Sequence, residues 1–523
     1  MTLALPRRRA DRVLAATTLF GSVFLAWMVF VTENPMAAFG ITIGLLFAGL
    51  ILVKPAVGIY TILAGVLVVE QYPFNPRVEA ITAEVPLYDY VFGQGLQLTP
   101  LDLLFACSVL GMLILWLRTP KGAGIRTPRS HNGLRAAAVM LALVMVLAEL
   151  HGMLRSSCQY YTPVGGWANC NFDFAVTTFE IKPFVYLLAS MLLAFRLLDT
   201  PEKLRWVLRI FMVAVSIKAL QACYRLAKGI RQNWSPNELR APTAHEDALF
   251  MALFLLAAMA IIGMRRRGLL ERQMLVLSPL VLLGFIAANR RIGYVGLGVA
   301  TLMMIPFLPK KLRRRLGVFA IPALIVAMIY VPAFWNIQGP LGRPAHVVKA
   351  IFVPTGTDLS SNEYREWEQY DVLTTISHNL AFGIGFGHRY EQPIPLPALD
   401  SEHQPYIPHN EIWWVWLKTG TVGFVAFWTA IGAMFVSAGI GLRRHYRSTF
   451  LLIGLLGLTV VPLQILASYA DLQLTFFRNM TVLGVLAGAA ARTRLFEPTP
   501  EEEPAPARPT QAALLRERAL LHV

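Results

Sequence analysis

The run DALFMALFLLAAMAIIGM, residues 247–264, followed at once by Arg265, Arg266 and Arg267, decides the architecture of this chain. Its one charge stands at the first position, and a helix of that length, rising about 1.5 Å per residue, matches the hydrocarbon core of a bilayer. Similar runs recur at 13–31, 36–53, 55–70, 100–118, 136–154, 176–196, 206–226, 273–289, 292–308, 316–334, 412–440, 449–468 and 477–491. The pattern predicts an all-α polytopic membrane protein of about 14 transmembrane helices, within a range of 12–14, because backbone polar groups inside lipid must be satisfied within their own segment. Composition agrees. Of the 523 residues 56% are hydrophobic and 15% charged, with a mean hydropathy of +0.53, which is too apolar for a soluble chain of this size. A transmembrane β-barrel is excluded, since its strands alternate in segments of about ten residues and these runs are unbroken.

The net charge of +16 and pI near 9.9 would suggest nucleic acid in a soluble protein. In a membrane chain basic residues first report topology, because they resist translocation, so no nucleic-acid partner is expected. Arg7, Arg8, Arg9 and Arg12 set the N-terminus inside. The clusters Arg118 to Arg135, Arg196 to Arg209, Arg265 to Arg272, Lys310 to Arg315 and Arg443 to Arg447 then all fall in cytoplasmic connections. An even number of spans returns the C-terminus to the cytoplasm as well. The first apolar run follows the basic cluster and lacks an obvious small-residue cleavage site, so it reads as a retained helix and not a signal peptide.

Four regions follow. Residues 1–334 hold spans one to eleven, 335–411 form a large external loop before the twelfth span, 412–491 hold the last three spans, and 492–523 form a cytoplasmic tail. The tail is expected to be largely disordered, because Glu497 to Pro509 is rich in Pro and Glu. Two shorter external loops run from Gln71 to Thr99 and from Arg155 to Ala175. The loop 335–411 mixes Trp, Tyr, Arg, His and Gly with several prolines, so it is expected to be an ordered, partly helical cap that carries the function. Cys158 and Cys170 share one external loop and are a disulfide candidate, whereas Cys107 and Cys223 sit in apolar segments and read as core.

The chemistry concentrates where that loop ends, at HNEIWWVWLKTGTVG, residues 409–423. His409 stands at the water interface, where an imidazole keeps a pKa near neutral and can take a proton from a hydroxyl as a general base. The alternative is a capping or interfacial histidine, and His388 and His403 are nearby competitors for the role. Asn410 shares the lip. Trp413, Trp414 and Trp416 fit an aromatic belt, and Gly420 and Gly423, at i and i+3, would let a helix or a lipid chain approach closely.

These residues resemble the O-antigen ligase and polymerase superfamily of bacterial envelope proteins, whose ligase members carry His-Asn, nine residues, then Gly-x-x-Gly at the end of a large periplasmic loop. Chance would give roughly one such match per thousand sequences of this composition. Arg365, Trp367 and AFGIGFGHRY (Ala381 to Tyr390) resemble the Arg, Trp and Gly-x-Gly stretch of the same loop. NRRIGYVGL (Asn289 to Leu297) is similar to a turn that is often Ser-Arg in the family; Asn289 departs from it and leaves open whether Arg290 or Arg291 is the match. The resemblance covers Lys182 to Asn479 in outline and is residue-specific at these three places.

The resemblance implies a membrane glycosyltransferase that moves or polymerises glycan from an undecaprenyl-diphosphate donor at the periplasmic face of the bacterial inner membrane. The acceptor would be lipid A core for a ligase of O-antigen and lipopolysaccharide, or a second lipid-linked glycan for a polymerase of surface polysaccharide or exopolysaccharide. His409 and Asn410 would be catalytic, and no cofactor or nucleotide sugar is needed. The residues supply a reason for arginine here: a charge held within the membrane costs about 2.5 to 3.5 kcal/mol and so needs an anionic partner, and guanidinium binds phosphate oxygens in bidentate fashion at every relevant pH. Arg290, Arg291 and Arg365 are the leading diphosphate ligands, with Arg389 as a further substrate contact. Compensated in this way, diphosphate leaves without a metal, so metal independence is expected. Arg225, Lys228, Arg231, Arg240 and Arg478 form, with Arg389, a second tier on external surfaces or helix ends, with solvated charge as the alternative. Trp367 is a candidate substrate contact, and Tyr406 with Trp413, Trp414 and Trp416 could stack on sugar rings, membrane anchoring being the alternative for the tryptophans.

Two clusters invite other readings. His245, Glu246 and Asp247 could hold a cation, but three adjacent residues rarely point at one ion and acidic groups suit a helix N-terminus, which favours capping. Glu180 and Lys182, at i and i+2, cannot share a helical face and should reach different partners. The rival function is a flippase or other transporter of the same lipid-linked substrate, whose mark would be Gly- or Pro-broken helices at matching places in two halves. The large loop and its histidine favour transfer chemistry instead.

Overall fold

The computed structural model describes residues 23–24, 27, 35–71, 85–89, 97–118, 132–155, 159–162, 166–169, 172–234, 243–264, 267–337, 341–354, 357–397, 403–445, 448 and 450–496. Helices α1 (Pro35–Val53), α2 (Pro55–Val68), α3 (Pro100–Arg118) and α4 (Asn132–Leu154) lead to a short antiparallel hairpin, β1 (Gln159–Thr162) and β2 (Gly166–Asn169), in which Gln159 opposes Asn169. Then follow α5 (Phe174–Leu197), α6 (Pro201–Arg231), α7 (His245–Gly263), α8 (Leu269–Ala288), α9 (Arg291–Met304) with a 3₁₀ turn at Ile305–Phe307, and α10 (Lys310–Ala333). The long connection carries α11 (Arg343–Phe352) and α12 (Thr357–His378) before α13 (Glu411–Arg444), α14 (Phe450–Ala470) and α15 (Phe477–Thr493). Among the described residues the fold is helical apart from that hairpin.

Each apolar run from 36–53 onward falls on a helix. The run 13–31 lies almost wholly outside the described residues, as do Cys158, Cys170, Arg240 and the tail from 497. Crossing a membrane by length and composition is a stricter condition, and eight helices among the described residues meet it: α3, α4 from Gly133, α5, α6, α7, α8, α13 and α14. The expected fourteen crossings are therefore not shown. The shortfall has a physical reason, since α2 has 14 residues and α15 has 17 with Arg478 and Arg492 among them.

Which helices form the centre follows from their faces. α7 is apolar all round and 89% of its most apolar window is buried, and α14 reaches 83%, whereas α3 reaches 22% and turns most of its surface outward. α15 lies along α5 at close range, because Gly484 and Gly488, one turn apart, put its backbone against Leu187 and Met191 of α5 where a Cβ would collide. Such small-residue contacts replace the hydrophobic drive that lipid does not supply.

Charge inside this core is paired. Lys218 Nζ lies 2.5 Å from Glu70 Oε1 and 3.0 Å from Asp247 Oδ2; Arg225 Nη1 is 2.9 Å from Glu70, and Arg478 Nη2 is 2.8 Å from Asp247 Oδ1. Arg225 and Arg478 are thus neither solvated nor on an outer surface, which corrects their second-tier reading: an unpaired ion in this setting would cost several kcal/mol. Arg231 is exposed at the end of α6, as solvated charge should be. Asp247 is the buried counter-ion of Lys218 and Arg478, and α7, whose N-cap is Ala244, has no side-chain cap, so the expected capping is not what its carboxylate does. Glu180 and Lys182 separate as expected, Lys182 Nζ pairing with Asp102 at 2.9 Å and Glu180 with Lys418 at 2.8 Å.

Candidate functional site

The site is built on a broken helix. In α13 the backbone at Gly420 turns to φ 62° and ψ −172°, a conformation open essentially to glycine alone. Thr421 and Val422 therefore cannot donate to Leu417 and Lys418 four residues back. The segment after α12 exchanges partners with them: Thr421 N donates to Leu380 O (2.8 Å) and Val422 N to Ala381 O (3.4 Å), while Ile384 N and Gly385 N donate to the freed Leu417 O (2.8 Å) and Lys418 O (3.0 Å). These four groups of the break are met in this way, which is how an irregular backbone can lie among helices. Gly420 does admit a close neighbour, though by breaking the helix and not by packing on its face. A Cβ at Gly423 would run first into Thr419 of the same helix and then into Val144 of α4.

The same segment is fixed from below. Lys418, fully buried, donates to His388 O (2.6 Å) and pairs with Glu180, whose other oxygen accepts from Gly387 N (2.6 Å) and whose first accepts from Trp414 Nε1 (3.2 Å). His388 is 1% exposed and its Nε2 donates to Gly152 O at 2.8 Å, so it belongs to this scaffold. His403 packs its ring against Phe179 at 4.5 Å. Of the three histidines, His409 has the different surroundings.

His409 precedes α13, and Asn410 caps that helix by accepting from Trp413 N at 3.4 Å. Glu368 of α12, 2% exposed, accepts from His409 N (2.7 Å) and meets the ring at Nδ1 (3.1 and 3.2 Å). An ionised carboxylate only accepts, so this contact assigns the proton to Nδ1 and leaves Nε2 as the basic nitrogen. Tyr364, one turn before Glu368, stands edge-on to the ring at 5.5 Å. Burial works against the charged ring, but Glu368, by hydrogen bond and by charge, and Asp471 outweigh it and raise the His409 pKa above its ordinary 6.5; Arg365 opposes them.

Asp471 lies just beyond α14. Glu411, the first residue of α13, holds that segment by accepting from the backbone N–H groups of Gln473, Leu474 and Thr475. Burial would raise the Asp471 carboxyl, but His245, Arg365 and His409 hold it below the usual carboxylate range. His245 Nδ1 is 2.9 Å from Asp471 Oδ2, and its Nε2 is 2.8 Å from Arg290 Nη1. Arginine only donates, so the His245 proton sits on Nδ1, toward Asp471. Arg290 Nε also donates to Thr243 O at 3.2 Å.

Five of the sequence-predicted residues thus fall into two groups: His409, Arg365 and Arg290 share one electrostatic neighbourhood through Asp471 and His245, and Arg389 stacks over the Tyr406 ring at 5.2 Å with its Nε on the Tyr406 hydroxyl at 3.1 Å. Asn410 stands beside His409 as the cap of α13, whereas Arg291 and Trp367 lie apart. Arg291 donates to Ala350 O of α11 at 3.4 Å, and Trp367 is 44% exposed on α12. Glu368, Asp471 and His245 were not singled out for this site. Glu368 stands three residues after Arg365, one helical turn on, which is the signal that could have found it.

Residues 274–428 match the family model of O-Antigen ligase. The matched stretch begins within α8, ends within α13, and contains Arg290, Arg291, Arg365, Glu368, Arg389 and His409, while His245 and Asp471 lie outside it. No curated protein matches the chain.

Proposed function

Taking the chain as a member of the O-antigen ligase and polymerase superfamily, we propose that it transfers or polymerises glycan from undecaprenyl diphosphate at the periplasmic face of the inner membrane. A membrane-bound glycan ligase or polymerase is what the family match supports; the donor, the acceptor and the residue roles are the proposal. The observation that carries it is the contact of His409 Nδ1 with the buried Glu368 carboxylate at 3.1 Å, with Arg365 in electrostatic reach.

The acceptor hydroxyl gives its proton to Nε2 of His409 as its oxygen attacks the anomeric carbon of the donor glycan. The bond from that carbon to the diphosphate oxygen breaks, its electron pair leaves with undecaprenyl diphosphate, and the glycosidic bond forms. Glu368 fixes the ring tautomer and stabilises the imidazolium that results. Arg365 and Arg290 meet the charge developing on the leaving diphosphate, and that compensation is the reason no metal is required. Tyr406 and Arg389 offer a face and donors to a sugar ring.

The acceptor separates ligase from polymerase. Purified protein is given undecaprenyl-diphosphate oligosaccharide with lipid A core or with no second acceptor, and the products are followed. Attachment to core identifies a ligase, and longer lipid-linked chains without core identify a polymerase. No product, with substrate crossing liposomes instead, overturns the reading in favour of a flippase.

A further inference from the structure

Arg290 and Arg291 are neighbours with different partners: Arg290 reaches Thr243 and His245, in the His409 neighbourhood, and Arg291 reaches α11. Arg291 donates to Ala350 O of α11, and from α11 Arg343 Nη1 donates back to Ala287 O of α8 at 2.8 Å. Two guanidinium groups thus tie α11 to the turn between α8 and α9, Arg343 at the start of α11 and Arg291 near its end. Tyr294, one turn into α9, lies in electrostatic reach of Arg343, and its buried hydroxyl has no hydrogen-bond partner among the described residues. Its ring packs on Phe285 at 4.7 Å. Beyond the turn α11 ends in exposed apolar side chains, Ile351, Phe352 and Val353, the last two 74% and 50% exposed. A cationic corner with a spare hydroxyl donor, edged by apolar surface, fits an amphiphile with an anionic phosphate head and a hydrocarbon chain.

We infer that Arg291, Arg343 and Tyr294 form an outer phosphate station for the polyprenyl-diphosphate donor, distinct from the inner Arg290 and Arg365 beside His409. The polyprenyl chain lies along Ile351, Phe352 and Val353 while the head group is held at the corner, then passes across the Arg290–Arg291 turn to the inner arginines. This rests on the proposed donor chemistry, and it gives a role to the arginine of α11.

Binding of undecaprenyl diphosphate to the full-length protein in phosphatidylethanolamine nanodiscs tests it, with undecaprenol and phosphatidylglycerol as comparison lipids. Arg343→Gln is expected to weaken undecaprenyl diphosphate about tenfold and Tyr294→Phe about threefold, with Arg343→Lys regaining most of the loss and undecaprenol unchanged. Melting temperatures of the variants should stay together. Wild-type binding retained in Arg343→Gln overturns the inference. So does an equal loss for phosphatidylglycerol, which would make the corner a general anionic-lipid contact. So, too, does a lowered melting temperature shared by the Gln and Lys variants with binding unchanged, the mark of a latch holding α11. Wild type that binds the lipid diphosphate yet forms no glycan product would overturn the transfer reading and leave this station standing.

Discussion

Glu368 accepts hydrogen bonds from both the backbone and the ring of His409, 41 residues away in sequence, so one buried carboxylate sets the position and the tautomer of the proposed base. The contact is what distinguishes His409 from His388 and His403.

Replacing Glu368 by Gln removes the charge that raises the His409 pKa against the effect of burial. The ring then loses its proton at lower pH, so the acidic limb of kcat/KM against pH moves toward lower pH. The rate on the plateau falls by about a hundredfold, because the imidazolium formed in the transition state is no longer stabilised. The pair also acts on stability. Its folded pKa is raised, so its contribution is complete below about pH 6.5 and is lost as pH rises through the folded value; the variant should lag the wild type most in acid. A pH–rate profile with thermal melting at two pH values checks both.

Gly420→Ala puts a side chain where φ is 62° and where the Ala381 backbone lies against the glycine. The strain is about 1–3 kcal/mol, and the clash adds to it. Thermal melting should fall by several degrees, with activity lost because the exchange of hydrogen bonds with residues 380–385 is disturbed. Gly423→Ala carries no such backbone strain, but its Cβ would run into Thr419 and Val144, so it should destabilise as well.

Lys418→Met leaves Glu180 buried without its cation and should destabilise by about 3–5 kcal/mol, whereas Lys418→Met with Glu180→Gln should recover part of that loss. Melting curves of the two single variants and the double variant decide it. An unrecovered double variant would mean that the hydrogen bonds from Gly387 N and Trp414 matter more than the charge pair.

The helices were legible because apolar runs are long-range statistics that survive any tertiary detail, and 247–264 lies on α7 within two residues at each end. The glycine motifs were legible as places and not as roles: Gly420 reads as a packing residue until the carbonyls of Leu417 and Lys418 are seen bonded to Ile384 and Gly385. Arg478 read as a surface charge because its partner, Asp247, comes from a helix 231 residues earlier. Asp471 escaped for the same reason, since nothing local marks a carboxylate that folding will place beside His245 and His409, whereas Glu368 had one local mark, its place a helical turn after Arg365. What a sequence displays is burial and turn chemistry; what it hides is which charge meets which.

Chelator should leave the initial rate of glycan transfer unchanged, because the arginines and not a metal are proposed to compensate the diphosphate. Measured rates with and without excess chelator check this, and a loss restored by a divalent cation would contradict it.

The central claim is that His409 takes the acceptor proton. Wild type and His409→Ala, matched for melting temperature and for binding of undecaprenyl diphosphate, are given the same lipid-linked oligosaccharide and acceptor, and single-turnover product is measured. The account predicts a loss of at least about a hundredfold in the transfer step with donor binding retained. Transfer at the wild-type rate by the variant would contradict it.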